Sequence, residues 1–246
     1  MGRSQPTRAT IMDGNKKAIS KDEQVASEVS AISTAIVGAV AHPAEGIKAL
    51  NHLVVGAIQG RLSRHLSESF ESLLKAGSID NNYFEQPFVQ NQFLLVTSQL
   101  NAKVIDENRV KCLINIFINS AEASSDEISG LRIQALMAIM VKLDTTDIFI
   151  LSNINELRNK TNNNNSAPAY DVNASSWVNL ILKVSHLEVS EMVLATEEKL
   201  VEYKLLSGRH ATDKSGVEVN NNYRLTEMGI RLCELMSDPK TNVENK

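Results

Sequence analysis

EMVLATEEKLVEYKLLSG, residues Glu191 to Gly208, and NNNYRLTEMGIRLCELM, residues Asn220 to Met236, are the stretches that decide how this chain is read. The first repeats apolar residues at helical spacing, Val193, Leu194, Leu200, Val201, Leu205 and Leu206, and runs into a Leu-Leu-Ser-Gly stop. In the second, Tyr223 and Leu225 suit a short strand, Thr226 suits a helix cap, and Ile230, Leu232, Leu235 and Met236 give a closing helix an inner face. A long helix, a polar loop, a short strand and a capped helix form the ending of a winged helix-turn-helix. The expected fold class is mainly α, a multi-helix N-terminal domain followed by a C-terminal winged helix-turn-helix with a short β-wing. Gly229 inside the closing helix costs about 1 kcal/mol relative to Ala. A close contact there would explain it.

Winged helices read DNA, bind proteins or dimerise, and the charges separate these uses. The expected recognition helix, Glu188 to Leu206, carries Glu188, Glu191, Glu197, Glu198 and Glu202 against Lys199 and Lys204. Laying those carboxylates on a polyanion costs several kcal/mol. The expected wing, Arg209 to Asn222, offsets Arg209, His210 and Lys214 with Asp213 and Glu218, leaving no strong basic patch. The glutamates therefore read as a solvated or protein-facing surface, with Glu191, Glu198 and Glu202 as candidate protein contacts. The alternative, a DNA-binding regulator, would use Arg209, Lys214 and Arg224.

Composition agrees with helices packed on helices. The chain has 246 residues, 43% hydrophobic but only 4% aromatic, so aliphatic side chains carry the apolar load. A net charge of -4 argues against a protein whose main task is neutralising phosphates. Cys112 and Cys233 sit on apolar helical faces with no Cys or His at ligand spacing, and read as small hydrophobes. The first residues lack the apolar run of a secretory signal, which gives a cytoplasmic expectation.

Residues 1–20 read as a polar, disordered leader, 21–143 as an all-helical domain, 144–238 as the winged-helix part, and 239–246 as a tail. Within the first domain, a helix from Ser20 is expected to stop at His42-Pro43, and a second to run from Pro43 to about Lys75 with Gly77 as its stop. Further helices are expected from Pro87, from Asp106-Glu107-Asn108 and from Ser124-Ser125-Asp126-Glu127. The last repeats Ile128, Leu131, Ala135, Leu136, Ile139, Met140 and Leu143. Residues 159–176, with four consecutive asparagines, read as a flexible insertion. Trp177 is expected to anchor the helix that follows.

No catalytic, cofactor-binding or metal-binding pattern emerges. Gly56 and Gly60 lack a Walker lysine, and His42, His52, His65, His186 and His210 lack ligand partners at helical spacing. Glu197-Glu198 point apart on a helix, which makes them poor acid–base partners. Residues 29–60, with AISTAIVGAV and LVVGAIQG, could form an apolar hairpin of a membrane-perturbing effector. His42, Glu45, Lys48, Asn51 and His52 interrupt them well short of the ~20 apolar residues that span a bilayer.

Over its last two-thirds the chain resembles the abortive-infection alpha proteins of bacteria. The resemblance rests on DENRVKCLINIFINSAE (Asp106 to Glu122), MVKLDTTDIFIL (Met140 to Leu151) and the ending Tyr223, Leu225, Thr226 and Gly229; an Ala/Gly-rich helical N-terminal part is also shared. The asparagine-rich insertion and the polar leader depart from the family pattern. The resemblance implies a cytoplasmic protein acting against phage, with no catalytic residues to carry over. The expected function is a non-enzymatic protein-interaction module, engaging a protein partner or a second copy.

Overall fold

The computed structural model describes residues 57–79, 83, 86–100, 102, 104–121, 127–163, 174–208 and 223–239. The expected leader, the first helix, most of the 29–60 hairpin, Arg209, Lys214 and the tail beyond residue 239 lie outside the described residues. Among those described, eight helices form: α1 Ala57–Ala76, α2 Pro87–Leu100, α3 Glu107–Ala121, α4 Glu127–Lys142, α5 Thr145–Asn163, α6 Ala174–Ser185, α7 Ser190–Glu202 and α8 Glu227–Met236. None is long and apolar enough to cross a membrane.

Local chemistry sets the ends of these helices. Gly77, at φ 70°, closes α1, with Gly77 N–H donating to Leu74 O and Ser78 N–H to Leu73 O, the paired bonds of a Schellman stop. Asp106 caps α3 by accepting from Arg109 N–H at 3.1 Å. Asp144 and Asp147 cap α5 reciprocally: Asp144 Oδ1 accepts from Asp147 N–H at 3.0 Å, and Asp147 Oδ2 from Asp144 N–H at 2.9 Å. Thr226 caps α8 through Gly229 N–H at 3.0 Å.

Helix α3 is the hub. It buries Val110, Leu113, Ile114, Ile116, Phe117 and Ile118, and packs against α1, α2, α4, α5 and α8. Phe70 of α1 and Phe93 of α2 set their rings 5.0 and 6.0 Å from that of Phe117. Helices α5, α6 and α7 pack on one another as a second group, and α8 lies along α3 while touching α5. The expected boundary near Leu143 falls between α4 and α5, yet buried side chains on both sides of it join one continuous cluster.

Several expectations are corrected. The helix expected over Glu188 to Leu206 is Ser190–Glu202, and its stop is Lys204 at φ 60° rather than Gly208. Leu205 N–H donates back to Leu200 O at 2.8 Å, which turns Leu205 and Leu206 into the core. Tyr223 and Arg224 are not in a strand: both are left-handed, at φ 50° and 65°. Among the described residues the β-wing has no strand, only one antiparallel bridge between Leu206 and Leu225. Helix α5 extends through Asn163 into the expected insertion, supported by the Lys160–Glu156 ion pair at 2.6 Å and by Thr161, whose hydroxyl meets that of Tyr223 at 2.6 Å. Ile128, Leu131 and Leu194, placed on inner faces by their spacing, are exposed.

Candidate functional site

Helix α7 is bound to its frame by charge on its inner side and is open to solvent on its outer side. Val193 and Leu200 supply the apolar part of the inner side, and Thr196 and Glu197 lie buried between them. Glu197 is 6% exposed and accepts from Arg224 Nη1 at 2.6 Å. Arg224, 1% exposed, also donates from Nη2 to Ser207 O at 2.6 Å and lies 5.1 Å from the ring of buried Trp177. The left-handed turn at Tyr223-Arg224 aims the guanidinium inward. Such a backbone costs of order 1–3 kcal/mol per residue and persists where its surroundings over-determine it. The Glu197–Arg224 pair and the Tyr223–Thr161 bond do so here.

A second charged contact lies two residues further along α7. Lys199 Nζ donates to buried Asp147 and, at 3.3 Å, to Asp144, while Thr196 Oγ1 donates to Asp147 Oδ1 at 3.2 Å. Partial burial lowers the affinity of Lys199 for its proton, but the two aspartates outweigh it and the ammonium is held above its ordinary range. Asp144 mirrors this: burial pushes its carboxyl up, and the Asp147 amide, the Lys199 ammonium and the Thr146 amide pull it below its ordinary range. The start of α5 and the middle of α7 are thereby fixed to each other.

On the outer side, Glu191, Ala195, Glu198 and Glu202 form one exposed stripe at helical spacing. Met192 flanks it on one side and Leu194 on the other, with Val189 exposed just before the helix. Beside Leu194 and Glu198, next to the Glu197–Arg224 pair, a shallow hollow of about 300 Å³ is lined by Val201 and Gly208. Among the described residues no ion pair engages Glu188, Glu198 or Glu202, whereas Lys199, the one lysine within the helix, is occupied beneath.

The three candidate protein-contact residues, Glu191, Glu198 and Glu202, thus share one face. Of the candidate DNA contacts, Arg209 and Lys214 lie outside the described residues. Arg224 is corrected: a buried guanidinium with its donors on Glu197 and Ser207 presents nothing to a phosphate. Glu197 is corrected as well, from surface to core. The signal for it was present, since Val193, Glu197 and Leu200 fall at i, i+4 and i+7, but a carboxylate on that face is buried only if a cation comes from elsewhere. Its cation is 27 residues away.

Other polar groups are structural. Asn115 Nδ2 donates to Met236 O at 3.0 Å and Asn119 Nδ2 to Leu235 O at 2.7 Å, closing the end of α8. His65 Nε2 donates to Asn115 Oδ1 at 2.9 Å. Burial pushes the thiols of Cys112 and Cys233 up, to about 11 and about 12. Among the described residues no group of three or more His, Cys, Asp or Glu could hold a metal ion. No family model, no curated protein and no solved structure matches this chain.

Proposed function

We propose that this protein is a non-enzymatic interaction module that engages a protein partner through the outer face of α7. The observation carrying this reading is the stripe Glu191, Glu198 and Glu202 bordered by exposed Met192 and Leu194. Carboxylates beside accessible apolar side chains repel a polyanion and attract a basic, amphipathic protein surface. The helix is suited to such a task because its inner side is pinned at two charged points, so binding requires little ordering of the face.

The same arrangement supports a winged-helix reading of the second half. What supports it is the mutual packing of helices α5, α6 and α7; no β-wing strand forms among the described residues. Phage defence is the setting that the abortive-infection resemblance suggests for such a module. The DNA-binding alternative is weakened by the burial of Arg224 and would rest on Arg209 and Lys214.

A photo-crosslinking side chain at Ala195 tests the reading in cells. The expected result is a protein adduct that disappears when Glu191, Glu198 and Glu202 are all changed to Lys, with none formed from exposed Asn179 on α6. Sequence-specific binding of duplex DNA by the purified wild-type chain at physiological salt would overturn it.

A further inference from the structure

Helix α4 is apolar on two opposite sides, a pattern suited to a helix covered on both. Its inner side buries Leu136, Met137 and Met140 and packs on α2 and α3. Among the described residues nothing covers its outer side: Ile128 is 64% exposed and Leu131 57%, and Ala135 and Ala138 continue the same exposed line. These four recur at intervals of three, four and three residues, the spacing of a two-helix seam. Along one flank, α8 and α4 enclose an open cleft of about 730 Å³. Arg132 and Arg231 stand at its rim with Glu227 and Glu234, so both signs of charge are present.

We propose that this face is the seam of a homodimer in which two copies of the chain pair their α4 helices antiparallel. Ile128 and Leu131 of one copy then lie on Ala138 and Ala135 of the other. The occupant is a second copy because the face complements itself in both size and charge. Large side chains occupy its first half and alanines its second, so the antiparallel register sets large on small along the whole seam, whereas a parallel one would crowd one end and leave a gap at the other. Antiparallel copies also oppose their helix dipoles at both ends, with Lys142 in the last turn of each. Arg231 and Glu234 pair within α8 at 3.3 Å, while Arg132 and Glu227 on the rim give each copy a donor and an acceptor for the other. A two-fold interface of this kind closes on itself, and it leaves the outer face of α7 as a separate surface.

Sedimentation of the full chain gives the first readout: a dimer of the 27.1 kDa chain at micromolar concentration, converted to monomer by Leu131→Glu with helical circular dichroism unchanged. The register is read by disulfide trapping. A Leu131→Cys chain mixed with an Ala135→Cys chain and oxidised should give a covalent dimer, while Ile128→Cys alone should give none, its two copies lying about 15 Å apart along the antiparallel seam. A monomeric wild-type chain overturns the proposal, as does a dimer that survives Leu131→Glu or a covalent dimer from Ile128→Cys alone. A monomeric wild type that Leu131→Glu destabilises would instead make the face a seat for residues 1–56 of the same chain.

Discussion

Helices α3 and α7 each anchor one half of the molecule, but different chemistry holds them. Around α3 the buried contacts are apolar, completed by neutral amides, Asn115 and Asn119, that reach the last carbonyls of α8, while its ion pairs, Arg61–Glu107 and Lys111–Asp238, lie at the surface. Around α7 they include one buried ion pair, Glu197 with Arg224, and one half-buried, Asp147 with Lys199. Apolar burial is non-directional and tolerates small shifts. A buried ion pair is weak evidence for stability, because desolvation offsets the attraction, but breaking it strands a charge in the interior. The α7 half should therefore be the more sensitive to single substitutions, and its pairs fix which side of α7 faces outward.

Arg224→Met tests that contrast most severely. Leaving Glu197 buried without its cation should cost about 3–5 kcal/mol by urea denaturation. Replacing both members, Arg224→Met with Glu197→Leu, should recover most of the loss, and failure to recover would assign the effect to the left-handed turn instead. Gly229→Ala follows, since a Cβ there would stand 2.2 Å from the backbone oxygen of Leu205. Backbone cannot yield as a flexible side chain does, and the expected loss is about 3 kcal/mol.

In the α3 half, Asn115→Ala should cost about 2 kcal/mol by orphaning Met236 O and the His65 donor, less than the loss at Arg224. An equal or larger loss would erase the difference between the two regions. Acid acts on both halves. The Lys111 ammonium, with Asn115, holds the Asp238 carboxyl below its ordinary range, against a weaker effect of burial, and Asp144 is held low as described above. Because both folded values are depressed, the stability they contribute is present above about pH 4 and fades as pH falls through the folded values. Lys199, held high, contributes fully below about pH 10 and loses that contribution as alkali takes its proton. Both wings of the thermal-stability profile should flatten when Lys199 is changed to Met. Smallest of all, Glu191→Gln, Glu198→Gln and Glu202→Gln together should leave unfolding within about 0.5 kcal/mol per site. A face that contributes so little to folding and yet carries partner contact would separate binding from stability.

Much of this architecture was legible as local pattern. Gly77 as a stop, Asp106 at a helix start, Thr226 as a cap, Trp177 as an anchor and Gly229 as a close approach each follow from one residue and its neighbours in sequence. Glu197 and Arg224 did not yield to that reading, because each is sensible as an exposed charge until the other is placed beside it. Ile128 and Leu131 failed in the opposite direction: periodicity marks an apolar face but not whether a neighbour covers it. Lys204 in the stop of α7 was equally hidden, since glycine is the residue that announces a left-handed turn and two leucines driven inward imposed it here.

By itself, then, the sequence determined the helices, their caps and the acidic face of α7, because hydrogen bonds and periodicity act over three or four residues. Only the tertiary structure decided which charges are interior and which apolar faces remain open. Those outcomes depend on groups separated by tens of residues, 27 for Glu197 and Arg224 and 52 for Asp147 and Lys199, brought together only when the core closes.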